Sequence, residues 1–246
     1  MTRRVIILGA TSLIAQETAR YFAAEHARLF LVGRNPAKLE SVAADLKVRG
    51  AEAVQICVAD LADASGHPAI VSQAAAEWGG LDAALIAHGT LPDQSICEQN
   101  ASALKDAIET NFVSVASLLI DLANVFEKQR AGVLAVIGSV AGDRGRRSNY
   151  VYGSAKAAID VFVAGLRLRL APSGVRVVLI KPGWVDTPMT AHLKKNFLYA
   201  PADKVGSSIY RLMLAPRSVA YLPWYWRWIM LVIRRIPEPI FAKLNL

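Results

Sequence analysis

Tyr152 and Lys156 stand four residues apart in "NYVYGSAKAA" (149 to 158), a spacing that puts both side chains on one face of a helix. Tyr150 does not share that face with Lys156. A phenol with an unperturbed pKa near 10 is a poor acid or base at neutral pH, and a cation one helical turn away stabilises its phenolate. Ser139 closes the apolar run "GVLAVIGS" thirteen residues before Tyr152, so a loop and a helix start can return the tyrosine to face the serine. The chemistry this trio points to is reduction of a carbonyl, or its reverse. Hydride moves between nicotinamide and carbon, Tyr152 gives or takes the proton on oxygen, and Ser139 holds and polarises that oxygen. Asn111, inside "ETNFVSVASLL", either anchors a water that passes protons onward from Lys156 or makes a structural hydrogen bond in an apolar helix. Tyr-x-x-x-Lys alone recurs by chance in many proteins, so its surroundings decide.

Those surroundings are six short apolar runs rich in β-branched residues, "RVIILGA", "ARLFLVG", "AVQICVAD", "LDAALIAHG", "GVLAVIGS" and "VRVVLIKPG", separated by Ala-rich helical stretches. Such alternation predicts a parallel sheet covered on both faces: an α/β fold, a single doubly wound Rossmann domain with ligands at the carboxyl ends of its strands. A chain of 246 residues is long enough for one such core. The catalytic and dinucleotide-binding domain is expected over residues 1–218, with an amphipathic extension over 219–246. The first strand runs into "LGATSLIAQ", where Gly9 makes the turn, Thr11 and Ser12 offer hydroxyls, and the helix start offers free N–H groups to a pyrophosphate. After the second strand, Arg34 either pairs with a 2′-phosphate, which favours NADP over NAD, or is a solvated loop charge. Asp60 with Leu61, and Gly89, fall where adenine and its ribose would pass.

Composition narrows the partners. The chain is 54% hydrophobic and 20% charged, with a net charge of +8, which excludes a disordered chain and favours an anionic partner. A nucleic-acid groove needs basic and aromatic residues interleaved along it. Here three of the five tryptophans crowd instead into "VAYLPWYWRWIMLVIRRIPEPIFAKLNL", and no nucleic acid is expected. Arg227, Arg234 and Arg235 interrupt that tail, and neither apolar piece approaches the roughly 20 residues of a spanning helix. Its blend of Trp and Arg suits a bilayer interface; a subunit contact in a homo-oligomer, or a lid, is the other reading. Cys57 and Cys97 show neither metal spacing nor a disulfide framework, and the N-terminal apolar run reads as strand and turn rather than signal peptide. No metal and a cytoplasmic location are expected.

Taken together, Ser139, Tyr152, Lys156, the first-strand turn and "KPGWVDT" resemble the short-chain dehydrogenase/reductase family over residues 4 to 190. The resemblance implies a catalytic set of Ser139, Tyr152 and Lys156 with Asn111 as fourth member. It also implies a cofactor loop from Gly9 to Ala15, including Leu13 and Ile14, and places Pro182, Gly183, Val185 and Thr187 at the nicotinamide. Two departures stand out: Leu13 and Ala15 replace family glycines, and "IAHG" (86 to 89) stands for the usual Asn-Asn-Ala-Gly.

A narrower likeness, in "SVAGDRGRRSNYVYGSAKA", "PMTAHLK" and "RWIMLVIRRIPEPIFAKL", is to the keto-reductases of decaprenylphosphoryl-ribose epimerisation. It implies a 2-keto sugar on a polyprenyl phosphate as substrate, a flavin-dependent sugar-lipid oxidase as partner, and a site at the cytoplasmic membrane surface. Arg144, Arg146 and Arg147 then become candidates for pairing with the phosphodiester, against the plainer reading of a solvated basic loop. Reduction of a soluble or acyl carbonyl compound, and a cofactor-binding regulator without turnover, are the competing functions.

Overall fold

Val5 and Ile7 point to one side of the first strand and Ile6 and Leu8 to the other, and all four are fully buried. A strand covered on both faces belongs inside a parallel sheet. The computed structural model describes residues 2–191 and 193–244. In it β1 (Arg4–Leu8), β2 (Arg28–Gly33), β3 (Ala53–Val58), β4 (Ala83–Ile86), β5 (Val133–Ile137), β6 (Arg176–Pro182) and β9 (Val219–Leu222) form one parallel sheet, in the order β3-β2-β1-β4-β5-β6-β9. The two-residue strands β7 (Val185–Asp186) and β8 (Ala200–Pro201) pair apart from it.

Helices α1 (Leu13–Ala24), α2 (Pro36–Val48) and α8 (Ala202–Leu214) cover one face; α3 (His67–Glu77), α6 (Ser114–Gln129) and α7 (Tyr150–Leu170) cover the other. The short helices α4 (Gln94–Cys97) and α5 (Ala101–Ile108) lead into α6, and α9 (Trp226–Ile233) and α10 (Glu238–Phe241) come after the last strand. Between α5 and α6 the helix continues through a π turn, Glu109–Val113, which carries Asn111. The whole stretch, residues 101–129, is long and apolar enough to cross a bilayer, but Leu118, Leu119, Leu122 and Phe126 bury its apolar face in the domain core.

All six expected strands are present, and the fold class is as read. A seventh lies inside the tail: Val219–Leu222 pairs in parallel with β6 from Leu179 to Pro182, and Ala220 and Leu222 are buried. The segment from Val219 therefore starts as part of the sheet, and the chain leaves it only beyond Leu222. Because β2 and β4 flank β1, the chain direction across the sheet reverses between β1 and β4. The loops after those two strands, at Gly9 and at residues 87–89, open a crevice at the carboxyl edge.

Candidate active site

Gly9 has φ +84, and a Cβ there would stand 2.6 Å from the His88 backbone nitrogen; only glycine lets the two strand-end loops close on each other. Helix α1 then begins at Ser12 with no side-chain cap, so its first N–H groups stay free and face a cavity of about 400 Å³. The cavity runs along the carboxyl edge of the sheet. Thr11, Ser12, Leu13, Ile14, Arg34, Asp60, Leu61 and Gly89 line one end, and Pro182, Gly183, Val185 and Thr187 line the other. Ser139, Tyr152, Lys156 and Asn111 stand on the same wall. Arg34 is exposed, with its guanidinium 3.9 Å from Asp60. Ala15, at one of the two departures from the glycine pattern, is fully buried and packs in the core rather than facing the cavity.

At the catalytic end, Ser139 follows β5 and its hydroxyl accepts from the Ala141 N–H at 3.1 Å. It also lies within hydrogen-bond reach of the Tyr152 phenol. Lys156 Nζ donates to the Ile137 carbonyl at 3.1 Å and sits 5.6 Å from the Tyr152 ring centre. Tyr150 points away and is exposed. Burial pushes the Tyr152 phenol up to about 12, against the pull of Ser139, and pushes Lys156 down to about 8, against the pull of Asp160. At the phenol, desolvation outweighs the pull of Ser139.

Asn111 is fully buried; its Oδ1 accepts from the Thr90 N–H at 3.0 Å, and its amide donates to the Ala107 carbonyl at 2.9 Å. Both Asn111 and Lys156 border Gly89. The π turn frees the backbone geometry that swings Asn111 toward this point.

Of the three arginines after Ser139, one lines the cavity. Arg146 is on its wall, and its Nε has no hydrogen-bond partner among the described residues. Asp143, the acid that acts on it, is already taken by Lys181 and Tyr221. Arg147 is exposed and off the wall. Arg144 turns the other way: it donates to the Ile233 and Ile236 carbonyls at 2.5 and 2.6 Å, pairs with Glu238 at 3.0 Å and stacks 3.7 Å from the Phe241 ring centre. The assignment of Arg144 to substrate is therefore corrected, because its donors are spent holding the tail.

The tail in turn shapes the site. Trp226 is buried against Val140 and meets Trp184 edge to face at 5.5 Å. A Cβ on Gly183 would fall 1.9 Å from its indole nitrogen, so this glycine is demanded by the tail. Sequence reasoning also passed over His88. The imidazole Nε2 contacts Ser114 Oγ at 2.8 Å, and that hydroxyl also lies 3.0 Å from the Thr110 carbonyl. Burial drives its pKa down to about 3, so it is neutral. The departure at "IAHG" was the available signal.

These residues fit a nicotinamide dinucleotide: an uncapped helix start behind a glycine turn suits its pyrophosphate, and the proline-glycine turn beside Tyr152 suits its ring. When bound, that group supplies or accepts hydride. The arrangement is one in which Tyr152 would give the proton to a carbonyl oxygen, Ser139 would orient that oxygen, and Lys156 would answer the charge left on the phenol.

Fold and site together define a carbonyl reductase or alcohol dehydrogenase of the doubly wound class. The sequence matches the short chain dehydrogenase family model over residues 3–197. It is 35% identical over 240 residues to an uncharacterized oxidoreductase of Mycobacterium tuberculosis, covering 98% of this chain and 96% of the relative. An uncharacterized oxidoreductase from the mprA 5′ region of Streptomyces coelicolor is 31% identical over 243 residues, with 98% and 96% covered. The fold is shared with levodione reductase, at TM-score 0.82 and 22% identity over 91% of this chain and 97% of that one. It is shared too with an actinorhodin polyketide ketoreductase variant solved with NADPH, at TM-score 0.81 and 21% identity over 92% and 98%. The chain belongs to the short-chain dehydrogenase/reductase family and is an NAD(P)-dependent oxidoreductase.

Tyr152→Phe should lower kcat by about 10²–10⁴-fold while cofactor affinity stays within a factor of a few, since only the proton donor is removed. Tyr150→Phe should leave both nearly unchanged. Steady-state kinetics beside cofactor titration reads the split, and a fully active Tyr152→Phe enzyme would sink the assignment.

Proposed function

We propose that this oxidoreductase reduces a keto-sugar carried on a polyprenyl-phosphate lipid, with NADPH as donor, completing an epimerisation whose ketone a flavin-dependent sugar-lipid oxidase supplies. The observation that carries the substrate reading is Arg146. A largely buried guanidinium on the cavity wall with an unpartnered nitrogen lacks an anion, and a phosphodiester beside the sugar provides one. The lipid part of the reading rests on the outer face of α9. Trp228, Leu231 and Val232 on the helix are exposed, as is Trp224 in the turn just before it, while Trp226 and Met230 on the inner face are buried. Arg227, Arg234 and Arg235 rim that outer face, and Glu238 is paired with Arg144. An anionic bilayer surface matches both its apolar and its basic parts.

NADPH oxidation with the oxidase-generated 2-keto sugar lipid, compared with the same sugar lacking lipid phosphate, tests the substrate. Arg146→Met should raise KM for the lipid at least about tenfold, the loss of a hydrogen bond to a charged group, and leave a neutral ketone unaffected. Equal turnover of both sugars would instead favour a soluble or acyl carbonyl substrate.

The choice of NADPH over NADH is assigned to Arg34, exposed at the adenosine end of the cavity, where its ion pair with Asp60 is a loose one. Arg34→Asp should weaken or reverse the preference in kcat/KM. Comparable kcat/KM for the two cofactors in the unmodified protein would remove Arg34 as a selector.

For the membrane, the variant of choice is Trp224→Ala with Trp228→Ala, because truncation before Val219 would also delete β9. Each buried tryptophan is worth about 1.5–3 kcal/mol, so co-sedimentation with anionic vesicles should fall sharply in the double variant, and salt should weaken binding of the unmodified chain without abolishing it. Failure of the unmodified chain to bind at low salt would return the tail to a homo-oligomer contact or a lid.

A further inference from the structure

Beneath the catalytic wall lies a second group of charges that neither hydride nor proton transfer uses directly. Lys181, on β6 and 5% exposed, is ion-paired with both Asp143, from the loop after Ser139, and Asp160, on α7. Asp143 also accepts from the Tyr221 hydroxyl of β9 at 2.9 Å. A buried and a half-buried carboxylate thus share one ammonium, and the group is one positive charge short.

The missing charge is near. Asp160 lies four residues after Lys156, on the same face of α7. The two side chains straddle the end of β5: Lys156 donates to the Ile137 carbonyl, and Asp160 Oδ1 lies 3.6 Å from where a Gly138 Cβ would stand. That oxygen has no hydrogen-bond partner among the described residues. With Lys156 protonated, the four groups sum to zero charge.

We infer that Asp160, anchored by Lys181 and Asp143, is a positioning residue for catalysis: it keeps the Lys156 ammonium charged beside the Tyr152 phenol. Asp160 faces Lys181 from β6, Asp143 from the catalytic loop and Lys156 from its own helix. Lys156 in turn faces Tyr152 and Asp160 on α7, Asn111 from the π turn, and the neutral His88 from beyond β4. Among the described residues Asp160 is the carboxylate that acts on Lys156, and it raises a lysine that burial alone would lower. Arg146 adds a positive charge on the Asp143 side. Removing the Asp160 charge therefore lets Lys156 lose its proton at lower pH.

The first readout needs no substrate. Trace acetylation of the cofactor-free full chain by acetic anhydride, followed by mass spectrometry of the Lys156 peptide, reports the fraction of neutral amine at each pH. Asp160→Asn should move the Lys156 midpoint down by about one pH unit, as loss of an opposite charge nearby requires. Tyr221→Phe, which removes a hydrogen bond and no charge, should leave it in place. The alkaline limb of kcat/KM for ketone reduction should shift with the midpoint in Asp160→Asn. A purely structural role would lower activity at every pH without moving the limb. An unchanged midpoint in a folded Asp160→Asn protein overturns the inference. If circular dichroism shows that variant unfolded, Asp143→Asn reads the same quantity with a smaller downward shift, and an unmoved midpoint there overturns it equally.

Discussion

A lysine ammonium held out of water at the end of a parallel sheet constrains everything around it. Taking such a charge from solvent costs several kcal/mol unless the protein returns hydrogen bonds and an opposing charge. Lys156 gets the first from the Ile137 carbonyl at the end of β5, and the second from Asp160 on its own helix. Both demand that α7 start close against the end of β5. That same approach sets Tyr152 over the cavity and in reach of Ser139. Position of the proton donor and solvation of the lysine are thus one geometric requirement.

Legibility in the sequence depended on how local each signal was. The five inner strands declared themselves because burial on both faces leaves apolar runs, and the edge strand β3 showed through its β-branched residues. The cofactor and catalytic residues lie at strand ends and helix starts, where glycine, proline and hydroxyl residues punctuate the chain, and they do gather on one cavity. The seventh strand was hidden: in "VAYL" only Ala220 and Leu222 are buried, and the aromatic stretch directly after it masks the alternation. The π turn at "ETNFV" left no compositional trace, since these residues suit an ordinary helix as well.

The arginine loop failed for another reason. Arg144, Arg146 and Arg147 are alike in type and neighbourhood, and what separates them is contact with carbonyls about ninety residues further on. Spacing carries no information about such partners. Lys181 with Asp143 and Asp160 was invisible on the same ground, although the four-residue step from Lys156 to Asp160 was open to the argument that picked out Tyr152.

Gly183 carries a consequence for the order in which the protein comes into being. Its turn lines the cavity, yet what packs on it is Trp226, and what holds the loop after Ser139 is a pair of carbonyls at Ile233 and Ile236. Those groups are made after every strand of the sheet. Synthesis proceeds from the amino end, and the sheet through β6 with its first helices can collapse while the rest is still being made. A nascent chain in that state has its first strands and helices built, while the turn at Gly183 and the loop after Ser139 lack the packing behind them. Competence thus waits on residues 226–236, so a chain interrupted before them lacks that support even when most of its core has formed.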